Sequence, residues 1–212
     1  MCIFIVGRTL SSADARTVRP YVPTDVDILH DTKLKCTNIY NVLTIKLKRY
    51  NKMRRAELRK DPDWALEVFE RAPYVTVSMT RPDGTPYGLP LNLAKKDDST
   101  FYFHCAAEGE KIDCIRCNPT VSLSAVSKCS PKYEEEKQNF TEHFHSAIAL
   151  GRAEIVEDRD EKILALRLIC ERFLPKYMAH FNQAIERSLD ITTIVRITLT
   201  EPPVGKCKPK DE

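Results

Sequence analysis

In this 212-residue chain, 33 Lys+Arg stand against 30 Asp+Glu, giving a net charge of +3, which is too balanced for a nucleic-acid binder, and no arginine patch interleaves with aromatics. Charged residues make up 30% of the chain, and no apolar run approaches the ~20 residues a helix needs to cross a bilayer, so a membrane role is set aside. The length suits one domain with an appendage and is enough for a real core.

Met1-Cys2-Ile3-Phe4-Ile5-Val6-Gly7 is too short for a secretory apolar region and has no basic stretch before it. A cytoplasmic, reducing compartment is therefore expected, with the eight cysteines read as free thiols rather than disulfides. Residues 1–52 differ from the rest: a short apolar start, a Thr/Asp/Arg/Pro-rich stretch, then an alternating run from Ile39 to Lys48. They are read as a poorly ordered N-terminal extension, or one outside the functional chain, with Met53 as the functional start.

From Met53 onward the periodicity becomes regular. Asp61 can cap a helix that Pro62 opens and Pro73 ends, with Trp64, Val68 and Phe69 on one face. Alternation then predicts a strand over 74–80, a tight turn at Arg81-Pro82-Asp83-Gly84, a strand over 86–95 and another over 100–104. A short helix around 109–117 leads past Asn118-Pro119 into a strand over 120–127. Residues 129–142 read as a polar surface excursion, and 147–156 as a long strand with Gly151 as a bulge or bend. An amphipathic helix spans 159–174, with Ile163, Leu166, Ile169, Cys170 and Phe173 inward. A weaker helix over 177–189 precedes a last strand at 192–199. The expected fold is mainly β (α+β): six strands in a small closed or nearly closed antiparallel barrel with flanking helices. The expected organisation is residues 1–52 as extension, 53–201 as the domain and 202–212 as a polar C-terminal tail.

The most informative segment runs from Phe101 through Phe103-His104-Cys105 to Gly109-Glu110-Lys111. A strand ends there, and a glycine opens a helix with a lysine in its first turn. Unpaired N–H groups beside a lysine make a seat for phosphate, although Glu108 and Glu110 oppose an anion unless they point away. His104 titrates near neutrality and can contact a ligand or serve as a partly buried hydrogen-bonded histidine. Cys114 and Cys117 form a C-x-x-C without the further ligands zinc requires, and the predicted helix puts both on one packing face. His143 and His145 share one face of a strand, read as a polar barrel rim with no metal assigned.

Taken in order, Pro86-Tyr87-Gly88-Leu89-Pro90-Leu91-Asn92, Phe101-Tyr102-Phe103-His104-Cys105-Ala106, Gly109-Glu110-Lys111, Asn118-Pro119 and Gly151-Arg152-Ala153 resemble the FMN-binding split-barrel proteins of the pyridoxamine 5′-phosphate oxidase-like superfamily. The resemblance covers about residues 53–200. Within that superfamily the chain looks most like the nitroimidazole-resistance branch, which opens with a Met-Arg-Arg such as Met53-Arg54-Arg55. The resemblance implies a six-stranded antiparallel split β-barrel and a homodimer with FMN at the subunit interface. Phe103, His104 and Cys105 match the stretch that holds the flavin edge. Lys111 matches a phosphate contact, while Glu110 stands where the oxidases carry arginine. Pro90, Leu91 and Asn92 would lie along the isoalloxazine, and Ser127 is a further cofactor contact.

His104 is the implied catalytic residue, placed against cofactor or substrate. Oxidase activity on pyridoxamine phosphate is not expected, because the C-terminus lacks the arginines of that group. The implied function is an FMN-dependent oxidoreductase acting on small electron-poor compounds of the nitroimidazole kind. The alternatives are a flavin- or haem-binding split barrel without turnover and a structural homologue that has lost its cofactor.

Overall fold

Period-two burial builds the sheet. The computed structural model describes residues 53–209, so the expectations for residues 1–52 lie outside the described residues. After a short turn at Ala56–Leu58 come β1 (Arg59–Lys60), α1 (Pro62–Arg71), β2 (Val75–Thr80), β3 (Pro86–Leu91), β4 (Ala94–Asp97) and β5 (Thr100–Ala106). Then follow α2 (Glu110–Cys117), β6 (Thr120–Glu134), β7 (Asn139–Val156), α3 (Arg159–Phe173), α4 (Phe181–Ser188), β8 (Thr192–Leu199) and β9 (Val204–Lys208). The strands are antiparallel and form one nine-stranded sheet in the order β3-β2-β6-β7-β8-β5-β4, with β9 joining β7 to β1. The mainly-β, α+β class is as expected, but the count is nine strands rather than six.

The differences have local causes. The run expected as one strand over 86–95 splits at Asn92-Leu93 into β3 and β4, which sit at opposite ends of the strand order. Two residues thus carry the chain from one sheet edge to the other, so the edges curl toward each other as in a split barrel. Residues 129–142 are not a loop: β6 and β7 continue as a paired hairpin to the Glu134–Asn139 pair. Its tip is the turn Glu135–Lys137 with Gln138 left-handed at φ 45°. The bulge lies between Val126 and Lys128, at Ser127, and not at Gly151. Gly151 pairs regularly with Val121 and Leu199. It is glycine because a Cβ there would come within 2.7 Å of the Ile197 side chain. Within the stretch expected as a tail, Val204–Lys208 is strand β9. It docks because Gly205 lets the chain lie against the Trp64 ring, which an added Cβ would meet at 2.5 Å.

Caps set the helix starts. Asp61 accepts from the Trp64 N–H at 2.8 Å and Pro62 fills the first turn of α1. Asp158 does the same for α3 through the Glu161 N–H at 2.8 Å. The main core fills the barrel with Val75, Val77, Phe101, Phe103, Leu123 and Ile197, closed by Ala65 and Phe69 of α1. Each such large side chain contributes about 1.5–3 kcal/mol on burial. A second core lies outside the barrel, where Leu166 and Ile169 of α3 and Phe181 of α4 cover Ala94, Tyr102 and Ile194.

Candidate functional site

The expected site residues lie on or just after β3, and on β5, α2 and β6. Among the described residues β3 is the end strand of its ladder and pairs with β2 alone, and Pro86 and Pro90 are tolerated on such an edge. β4 pairs with β5 only as far as Ala94–Tyr102. Continuing that register would set Asn92 opposite His104 and Leu91 opposite Cys105. Pro90, Leu91 and Asn92 lie where the chain crosses from β3 to β4, the strand beside β5 with its Phe103, His104 and Cys105, and α2 begins four residues after β5 ends. Asn92 is anchored by donating its side-chain amide to the Pro73 carbonyl at 3.0 Å.

Alternation sorts the β5 residues. Phe103 and Cys105 point into the barrel core and are buried, so they can meet a ligand only through their backbone. His104 points outward, is exposed, and forms no hydrogen bond among the described residues. The surrounding protein, and secondarily Lys111, lower its pKa, so His104 is neutral at physiological pH. Burial pushes the Cys105 thiol up while Lys111 pulls it down, an interaction that places the ammonium near the end of β5.

Gly109, at φ 126° and ψ 166°, turns the chain into α2, and no side chain caps the helix. Space beside Gly109 is open, so it is the left-handed backbone and not crowding that requires glycine. Lys111, half-buried in the first turn, has no hydrogen bond or ion pair among the described residues. Glu110 is engaged: the Arg81 guanidinium, at the end of β2, donates to its carboxylate. Arg81 also donates to the Pro86 carbonyl at 2.8 Å and lies 4.8 Å over the Tyr87 ring. Sequence reasoning missed Arg81, because its partner is 29 residues away and nothing in the spacing points to it.

Ser127 sits half-buried at the bulge of β6. One expectation changes. Cys114 is buried while Cys117 is exposed, so they do not share a packing face. His145, in contrast, packs with its ring 5.2 Å from Trp64. Among the described residues no helix is long and apolar enough to cross a membrane.

An uncapped helix start, an unpaired lysine, an edge strand and an outward histidine fit a flat phosphorylated cofactor: a place for the phosphate and a wall for the ring. The comparisons agree at the level of fold. A candidate 5-nitroimidazole antibiotic resistance protein from Bacteroides thetaiotaomicron superposes with a TM-score of 0.58 at 21% identity, over 69% of this chain and 84% of that one. The flavocytochrome of Azotobacter vinelandii gives 0.59 at 18% identity, over 76% and 73%. An FAD- and haem-binding protein of Mycobacterium smegmatis gives 0.60 at 17%, over 72% and 74%. No curated protein matches the chain. Residues 61–204, about two thirds of the sequence, match the pyridoxamine 5′-phosphate oxidase family, and the chain belongs to that family.

Proposed function

We propose that the protein binds FMN in the barrel split and uses it to reduce small, flat, electron-poor compounds such as nitroimidazoles, as a member of the nitroimidazole-resistance branch. The observation that carries this reading is the pairing of an unpartnered Lys111 at an uncapped, glycine-opened helix start with the outward, neutral His104. Lys111 and the first N–H groups of α2 would hold the phosphate. The edge of β3 at Pro90-Leu91-Asn92 and the β5 backbone at Phe103 and Cys105 would hold the ring edge. Bound flavin would supply electrons in pairs, avoiding a nitro radical. Neutral His104 would orient the acceptor or donate a hydrogen bond to it, and Ser127 would be a further cofactor contact.

A homodimer is proposed through the outer face of the barrel. The row Pro90, Thr76, Ser124, Ile148 runs across four paired strands. It is uncharged, and Ile148 is exposed there together with Val126. Because the row begins at Pro90, a partner on it would border the split and seat the cofactor at the subunit seam. We propose a cytoplasmic location, a working domain that runs from residue 53 through β9, and residues 1–52 as an extension outside it.

The test is anaerobic. Protein loaded with FMN and mixed with NADH or NADPH should bleach, and a nitroimidazole should restore the oxidised spectrum, with the amine accumulating after three two-electron turnovers when the nucleotide is in excess. A flavin that neither pyridine nucleotide reduces would favour the alternative, a flavin- or haem-binding barrel without turnover.

A further inference from the structure

We infer that Arg81 is a second phosphate-binding cation of this site, and that Glu110 sets the affinity by competing with phosphate for it. The inference rests on the FMN reading. It removes that reading's main difficulty, which is an acid at the helix start where a second cation is expected.

Four contacts fix the Arg81 guanidinium. Nε donates to the Glu110 carboxylate, Nη1 to the Pro86 carbonyl at 2.8 Å and to Thr85 Oγ1 at 3.4 Å, and the plane stacks 4.8 Å from Tyr87. Nη2 has no acceptor among the described residues. The group is thus held in place with Nη2 open, and release of Nε from Glu110 would complete a fork for two phosphate oxygens. The hairpin turn explains its position. Arg81 N–H donates to the Thr85 carbonyl at 2.8 Å, and Asp83 accepts from Thr85 N–H at 2.9 Å, so the end of β2 is rigid where it meets α2.

Charge bookkeeping at the helix start points the same way. Glu108, Glu110 and Asp113 outnumber Lys111 at this helix start, and Arg81 is the further cation that reduces this excess of negative charge. The Glu110 side chain is 50% exposed and that of Arg81 34%, so their pair contributes little net stability and exchanges readily. A phosphate offers the same guanidinium more negative charge and more acceptor oxygens. Glu110 therefore acts as a weak internal competitor.

The experiment is a fluorescence titration of wild type, Arg81→Gln and Glu110→Gln with two probes, FMN and riboflavin, the second lacking phosphate. Arg81→Gln should weaken FMN by about tenfold, the size of one charged hydrogen bond, and Glu110→Gln should tighten it by about threefold. Riboflavin should bind all three proteins equally, and Arg81→Lys should recover part of the FMN affinity. Equal shifts for both flavins would mean that the pair only shapes the fold and would overturn the inference, as would unchanged FMN binding in Arg81→Gln. Wild type that binds neither flavin would instead overturn the FMN reading itself, and this inference with it.

Discussion

Tyr102 and His104 project from the same outer face of β5, two residues apart, into opposite surroundings. Tyr102 is buried under α3, and its hydroxyl donates to Glu161 at 2.7 Å. Glu161 in turn accepts two bonds from Arg196 at 2.9 and 3.0 Å, and Arg196 reaches Glu154 at 3.0 Å. Every charge there has its opposite. Burial alone would push the Glu161 carboxyl up, but the Tyr102 hydroxyl and Arg196 outweigh it and leave it lowered. Burial and Glu161 push the Tyr102 phenol well up. His104, beyond the reach of α3, has no such partner. A strand face covered by a helix is completed by side chains, and the face left uncovered is where a ligand can complete it.

Substitutions on the covered side should cost stability and spare cofactor, and those on the open side the reverse. The largest effect is expected at Arg172, whose guanidinium donates to the carbonyls of Phe69 at 2.6 Å, Glu70 at 2.8 Å and Ala72 at 3.0 Å, and also to Leu93. It ties the end of α3 to the end of α1 and to the crossing between β3 and β4. Arg172→Met should destabilise by about 3 kcal/mol in urea unfolding, because several carbonyls lose a charged donor at once. Tyr102→Phe should cost about 1 kcal/mol, since Glu161 keeps Arg196, with FMN affinity unchanged; a loss of affinity would erase the distinction between the two sides.

The smallest effect is one of pH. The folded pKa of His104 lies below the ordinary 6.5, so between the two values the unfolded chain binds the additional proton. Stability should therefore rise with pH through that window and level off above about 6.5. His104→Gln should flatten that slope, as chemical denaturation at stepped pH would record; an unchanged slope would place the titration elsewhere.

Much of this molecule is legible in sequence where a local rule governs it. The Asp61-Pro62 cap of α1, the Arg81–Gly84 turn and the Gly109 helix start follow from residue chemistry alone. The β6–β7 hairpin does not, because Lys132, Tyr133, Glu142 and Phe140 leave both faces exposed or half-exposed and no alternation survives. β9 is hidden for a different reason: its inward positions are Gly205 and Cys207, and only the Trp64 ring makes the glycine meaningful. The split itself depends on Asn92-Leu93 passing between two sheet edges, and Arg81 on a partner far along the chain. Both are facts of topology that no window of sequence contains.

The most direct test of the central claim is an FMN titration of purified wild type beside Lys111→Ala. The account predicts a yellow wild-type protein with a stoichiometric flavin spectrum, and a Lys111→Ala variant that folds normally but loses FMN affinity by about 1.5–3 kcal/mol, the worth of a charged hydrogen bond. A colourless wild type that takes up no added FMN, or a Lys111→Ala variant that holds it as tightly, would contradict it.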